Sequence, residues 1–294
     1  MLRLDEAEVA ARAARARDPQ YWRSLAPGLH VCDPATTLES RMADQAALGR
    51  ASAALSDGAC HLRGVFSAAS LARANAGIDA AVAAGWPAAF AFVYDELWLC
   101  ARAPALVTIV RRALGDDCGQ IPHAWAHVVS PGGRGWTAHV DGPRDGRLTA
   151  WVALTDAGFD NGCMYIVDRD AGPRSLGDRI GADATLTGTE VQRLLHGARA
   201  MPAEAGDILG WRFDVIHWGG RVSPGSPGRR GLSLEFIAAS EPGSDDERPP
   251  LPLNALPSLD VRLRAIAGGI LGYGSTEPMV RRYEELARRI GRSG

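Results

Sequence analysis

The chain contains no lysine; all 32 of its strongly basic residues are arginine. That absence removes whole classes of chemistry. A Schiff-base enzyme needs an ε-amine, so lysine-anchored pyridoxal enzymes and lysine aldolases are excluded. A Walker-type phosphate loop ends in lysine, so that class goes as well. Cysteine is sparse: Cys32, Cys60, Cys100, Cys118 and Cys163 are scattered, odd in number and never spaced as C-x-x-C. Neither a disulfide framework nor a zinc knuckle is indicated, and most of the five are expected to be small core residues. No apolar run reaches the roughly eighteen residues a membrane helix needs. Acids at Asp5 and Glu6 stand where a leader peptide would have its apolar stretch, so a cytoplasmic protein is expected, with no membrane association. The net charge is −2 and no basic stripe is visible, which argues against a nucleic-acid partner.

What is present is an ordinary globular composition, 46% apolar and 22% charged over 294 residues. Residues 4–17 and 41–55 read as helices around an irregular, proline-bearing connection. Asp57-Gly58 turns into an alternating strand over 59–65. Ser67 caps a helix stopped by Gly85, and Pro104 opens another stopped by Gly115. From Ile121 the pattern changes to strands, at 123–129, 136–141, 147–154, 163–167, 207–212, 214–218 and 231–238. That many short strands, punctuated by Gly-Pro and Asp-Asn-Gly, predict a double-sheet barrel or jelly roll. A polar insertion between Val167 and Met201 holds a short helix at 189–195. Residues 241–258, with four acids and five prolines, predict an extended crossing. Thr276 is expected to cap a final helix whose apolar stripe is Met279, Val280, Tyr283, Leu286, Ala287 and Ile290.

The chemistry concentrates in Trp136–Asp170 and Ala205–Ile237. In a strand, residues i and i+2 share a face, so His139-Val140-Asp141 aims an imidazole and a carboxylate into one pocket. A lone H-x-D is a weak signal. Here His217 follows 78 residues later, after a hydrophobic run entered by the Gly206-Asp207 turn. Two histidines and one carboxylate with an open face are the facial triad of non-haem Fe(II) oxygenases. Arg229 and Arg230 come 12 and 13 residues after His217, at the head of an alternating strand. Either could clamp a carboxylate in bidentate fashion, and strand alternation lets only one face inward. His123, Trp125 and His127 alternate on the strand entering the site, while Arg134 and Trp218 flank the triad. These five are the candidate substrate contacts. A zinc hydrolase using the same three ligands, or a non-catalytic ligand-binding barrel, would fit the triad alone.

Several short motifs accompany the triad: Pro131-Gly132, the strand Ala150–Thr155, Asn161-Gly162 followed by Cys163 and Met164, Ala205-Gly206-Asp207, and Arg229 before Leu232-Ser233-Leu234. With these the chain, from about Asp57 to Ile237, resembles the phytanoyl-CoA dioxygenase-like Fe(II)/2-oxoglutarate oxygenases, in the branch that includes ectoine hydroxylase. The resemblance implies a mainly β fold with flanking helices, a double-stranded β-helix of the jelly-roll or cupin kind. It implies one domain over 1–294: an N-terminal helical extension (1–56), a β-barrel core with outer helices (57–240), and a proline-rich crossing with a C-terminal helix (241–294). It implies Fe(II) held by His139, Asp141 and His217 as the catalytic metal, with 2-oxoglutarate and O₂ as co-substrates. Arg229 takes the distal carboxylate of 2-oxoglutarate, with Trp151 and Ser130 at neighbouring co-substrate positions. The implied activity is hydroxylation of an aliphatic carbon of a small biosynthetic or amino-acid-like molecule, yielding succinate and CO₂. Halogenases of the same superfamily lack the carboxylate that Asp141 supplies here.

Overall fold

The computed structural model describes residues 3–142, 146–167, 176–177, 180, 185–240 and 249–292. The early helices begin where a side chain can satisfy the first free amides. Asp5 accepts from the Glu8 N–H at the head of α1 (Glu6–Ala16), and Asp18 with Pro19 opens α2 (Pro19–Leu25). Asp44 caps α3 (Gln45–Ser56), and Ser67 caps α4 (Ala68–Ala83). After α5 (Asp95–Leu99), α6 (Pro104–Leu114) starts on its proline and stops at Gly115, whose φ of +94° an L side chain would resist. No helix among the described residues is long and apolar enough to cross a membrane.

The strands are β1 (Ala59–Leu62), β2 (Gly119–Gln120), β3 (Trp125–Val129), β4 (Arg147–Ala153), β5 (Met164–Val167), β6 (Ala198–Met201), β7 (Ile208–Arg212), β8 (His217–Gly219) and β9 (Arg229–Ile237). They form two antiparallel sheets. The larger runs β1-β7-β4-β9-β2, with β3 also pairing β9; the smaller runs β6-β5-β8. This is the double-stranded β-helix class, with helices covering the large sheet. The central strand β4 is buried along its whole length. Leu148, Ala150 and Val152 pack into the core beneath the helices, whereas Trp151 and Ala153 pack between the sheets. Alternation therefore turns Thr149 and Trp151 to the inter-sheet side, where the site lies.

Three elements differ from the sequence reading. The stretch 136–141 is extended but is no regular strand: its pairings are single bridges, Arg134 to Arg221 and His139 to His217. The ladder breaks because the N–H groups of Asp141 and Gly142 both donate to the Phe213 carbonyl, at 3.0 and 3.1 Å. At the C-terminus Thr276 does not cap the helix. Pro278–Tyr283 is a 3₁₀ segment preceded by Glu277, and a new α-helix, α9 (Glu284–Gly291), follows. The tighter turn shifts the phase, so Val280 and Tyr283 are buried while Met279 is 67% exposed. Before it lies a helix the pattern hid, α8 (Leu259–Gly272). Its buried face carries Arg262, which interrupts the apolar stripe.

The insertion contains α7 (Gly188–Gly197), opened by a reciprocal capping box between Thr187 and Glu190. Most of the residues between 168 and 184 lie outside the described set. Cys60, Cys100, Cys118 and Cys163 are buried and Cys32 is exposed; all five are free thiols.

Candidate active site

His139 and His217 are held opposite each other by a reciprocal backbone pair, with N–H to carbonyl distances of 3.0 and 2.9 Å. Their ring centroids are 4.2 Å apart. Each ring is oriented by its own backbone two residues upstream. The Nδ1 of His139 lies 2.7 Å from the Thr137 carbonyl, and the Nδ1 of His217 lies 2.9 Å from that of Val215. A carbonyl can only accept, so each Nδ1 carries the proton and each Nε2 presents a lone pair. Both lone pairs face Asp141 Oδ1, at 3.7 Å from His139 and 3.6 Å from His217.

The other oxygen of Asp141 is fixed from the large sheet. Thr149 Oγ1 donates to Oδ2 at 2.6 Å and Trp211 Nε1 donates at 3.0 Å. Thr149 and Trp211 are cross-strand partners on β4 and β7. Burial pushes the Asp141 carboxyl up, but the adjacent His217 and His139 and these two hydrogen bonds outweigh it and hold it below its ordinary range. Burial pushes His217 down to about 4 against the pull of Asp141, so the imidazole is neutral at physiological pH. The ligand atoms of the three residues lie within 4.8 Å of one another. Two nitrogen lone pairs and one anionic oxygen converging without a proton between them suit a divalent cation of the iron type.

Arg229, at the head of β9, is buried and enters the same cavity. Its Nη1 donates to the Gly162 carbonyl and lies 3.6 Å from Met164 Sδ, while its Nε has no hydrogen-bond partner. The guanidinium carbon sits 5.7 Å from the Trp151 ring. Two glycines make room for this pair. A Cβ at Gly219 would lie 2.6 Å from Arg229 Nη2, and one at Gly231 would lie 2.3 Å from the Trp151 indole. Burial lowers the Arg229 pKa to about 10, which leaves it charged at neutral pH. Arg230 points to the opposite face, where it pairs with Asp79 at 2.7 Å and reaches Asn75 at 3.3 Å.

The cavity encloses about 450 Å³ of empty space. Of the candidate substrate contacts, His127 lines it, with Nε2 2.9 Å from Ser233 Oγ. Burial and the nearby Arg229 push His127 down to about 3, so it stays neutral. Trp125 is buried against Tyr273, at 4.8 Å between centroids, and does not reach the cavity wall. His123 faces the Tyr273 hydroxyl at 3.1 Å and lines a separate open groove. Ser130 is exposed at a turn closed by the Gly133 N–H. Arg134 is exposed opposite Arg221, and Trp218 stacks flat on Tyr165 at 5.3 Å. Four wall residues carried no expectation: Thr149, Trp211, Glu235 and Tyr273. Thr149 and Trp211 were open to strand alternation, since each shares a face with a neighbour in its strand. Tyr273 arrives on α8 and had no local signal.

The family model for phytanoyl-CoA dioxygenase (PhyH) matches residues 55–231, more than half of the chain. No curated protein matches in sequence. Among solved structures, the non-haem α-ketoglutarate-dependent epimerase SnoN from nogalamycin biosynthesis is 20% identical, with a TM-score of 0.55 over 71% of this chain and 96% of that one. EctD from S. alaskensis is 19% identical, with a TM-score of 0.54 over 78% of this chain and 94% of that one. The carbocyclase SnoK, also of nogalamycin biosynthesis, is 19% identical, with a TM-score of 0.52 over 76% and 98%. These likenesses establish the common fold. By its family match, the chain belongs to the phytanoyl-CoA dioxygenase family and is a non-haem iron, 2-oxoglutarate-dependent oxygenase.

Proposed function

We propose that the protein hydroxylates an aliphatic carbon of a small molecule, converting 2-oxoglutarate and O₂ to succinate and CO₂. One oxygen atom enters the product alcohol and the other enters succinate, so the balance closes without a further reductant. The observation that carries the reading is the pairing of two features in one cavity. An open-faced His139–Asp141–His217 set lies on one side, and the buried Arg229 guanidinium, with a donor still to satisfy, lies on the other.

His139 Nε2, Asp141 Oδ1 and His217 Nε2 would hold Fe(II). The bound iron supplies the oxidising chemistry with O₂. The chain's own work is positioning. Thr149 and Trp211 keep Asp141 turned toward the two imidazoles. Arg229 pairs the far carboxylate of 2-oxoglutarate, a charge-assisted contact strengthened by burial. Trp151 sets the guanidinium's plane from one side, and Gly219 leaves the space it occupies. Trp136, Trp211 and Tyr273 wall the cavity and exclude water from the reacting carbon.

The test is anaerobic. Fe(II) and then 2-oxoglutarate added to the purified protein should produce the visible charge-transfer band of a chelated keto acid. The band should disappear in His217→Ala. No band in the wild type, with zinc retained through purification, would replace this reading with a zinc hydrolase using the same three residues.

A further inference from the structure

We propose that Glu235, Trp136 and Tyr273 form a subsite for a cationic nitrogen of the substrate. The inference rests on the oxygenase reading above and names the substrate class it would take.

Strand β9 turns Arg229, Gly231, Ser233 and Glu235 to the inter-sheet side. Arg229 stands at the co-substrate end and Glu235 at the other. Glu235 pairs across the sheet with Thr149, the residue that holds Asp141. Direct cross-strand neighbours have Cβ atoms about 5 Å apart, so the Glu235 carboxylate is close to the metal position without being one of its ligands. It lines the cavity, with a side chain only 14% exposed.

Two aromatic faces stand in the same wall. Trp136 and Tyr273 lie 4.4 Å apart at 54°. The Trp136 Nε1–H donates to Glu277 Oε1 at 2.7 Å, which pushes electron density into the indole and strengthens its attraction for a cation. Aromatic faces beside a carboxylate are the chemistry that recognises an ammonium or amidinium group.

The charge balance of the cavity points the same way. Among its described lining residues Arg229 is the one arginine, and the chain has no lysine. With Fe(II) and the 2-oxoglutarate dianion bound, the positive charges of the metal and Arg229 are cancelled by Asp141 and the co-substrate. The acid left over is Glu235. A carboxylate substrate would meet it unfavourably and a cation favourably. Glu235, Tyr273 and Glu277 all lie beyond residue 231, where the family match ends. The subsite is therefore built by this chain's own C-terminal portion.

The experiment uses the anaerobic holoenzyme with Fe(II) and 2-oxoglutarate, so the charge-transfer band reports an intact co-substrate site in every sample. Paired probes are titrated by tryptophan fluorescence: choline against its uncharged tert-butyl isostere, and butylammonium against butanol, with isovalerate as the anion. In wild type the cation of at least one pair should bind about tenfold tighter than its isostere, with isovalerate weakest. Glu235→Gln should erase that preference while keeping the band. Tyr273→Leu should weaken the cation by several-fold and leave its isostere nearly unchanged. Equal binding within both pairs, tighter binding of isovalerate, or a preference that survives Glu235→Gln would overturn the subsite. Absence of the band in wild type would instead overturn the oxygenase reading.

Discussion

Two buried carboxylates, Asp95 and Asp141, are treated in opposite ways. Asp95, at the start of α5, is wholly inaccessible and has both oxygens occupied. Oδ1 takes the Cys32 N–H at 2.8 Å and Arg262 Nη1 at 2.5 Å. Oδ2 takes the Asp33 N–H at 2.9 Å and the Thr36 hydroxyl at 3.0 Å. Arg262 also donates to the carbonyls of Pro257 and Val93, so this centre ties the N-terminal segment, the aromatic 3₁₀ stretch 88–93 and α8 together. Asp141 has donors on one oxygen only. The other faces two imidazole nitrogens that offer lone pairs rather than protons. A carboxylate whose acceptors are all filled by donors holds a fold together; one left facing further acceptors waits for a cation. The difference lies in what surrounds the group, since both are aspartates.

The largest expected effect breaks the Asp95 side of this comparison. Asp95→Ala strands Arg262 in the core and should cost about 3–5 kcal/mol of stability in chemical denaturation. Asp141→Asn should change the apo protein by only about 1 kcal/mol, because the amide oxygen still accepts from Thr149 and Trp211, yet it should abolish iron binding. Equal destabilisation by the two substitutions would dissolve the distinction.

Next in size is the co-substrate clamp. Arg229→Ala should weaken 2-oxoglutarate by roughly 10–100-fold, the value of a charged hydrogen bond, while iron still binds. Arg230→Ala loses a surface pair with Asp79 and should alter stability by less than about 1 kcal/mol and co-substrate affinity not at all. The reverse outcome would mean that the inward-facing arginine is misassigned. A smaller, sharper probe is Gly219→Ala, whose new methyl must displace the guanidinium. A loss of about tenfold in 2-oxoglutarate affinity with unchanged iron affinity is expected, on the scale of one misplaced hydrogen bond.

A third carboxylate gives the smallest effect, through pH. Asp207 is pushed up by burial, but hydrogen bonds from His61 and from the Gly64 and Glu204 N–H groups outweigh this and hold it below the usual 3.8. A depressed carboxyl contributes stability that is present above its unfolded value and lost as pH falls through the folded one. Acid unfolding of wild type should therefore steepen below the ordinary value of 3.8, and Asp207→Asn should flatten that limb of the curve. An unchanged acid limb in the variant would show that Asp207 contributes nothing to it.

Much of the molecule was legible because the relevant physics is local. Caps at Asp5, Asp44 and Ser67 follow from which side chains can accept an amide proton. The mainly β class followed from the density of short alternating strands after Ile121, and the shared face of His139 and Asp141 followed from their spacing of two. The opacity of α8 also has a physical cause. An arginine on its buried face defeats a hydrophobic-periodicity reading, and only its contact with Asp95, 167 residues away in the chain, makes that arginine tolerable.

The sequence by itself determined the residue types and short spacings of the site: imidazoles whose Nδ1 reaches a carbonyl two residues back, glycines where bulky groups approach, and an arginine in a chain without lysine. The tertiary structure alone decided which of two adjacent arginines turns inward, since that depends on the register pairing Val129 with Arg229. It alone brought Thr149 and Trp211 onto one oxygen of Asp141, and carried Tyr273 and Glu277 from the C-terminal helices to the mouth of the cavity. Those are contacts between segments far apart in the chain, and no local preference of either segment encodes where the other will lie.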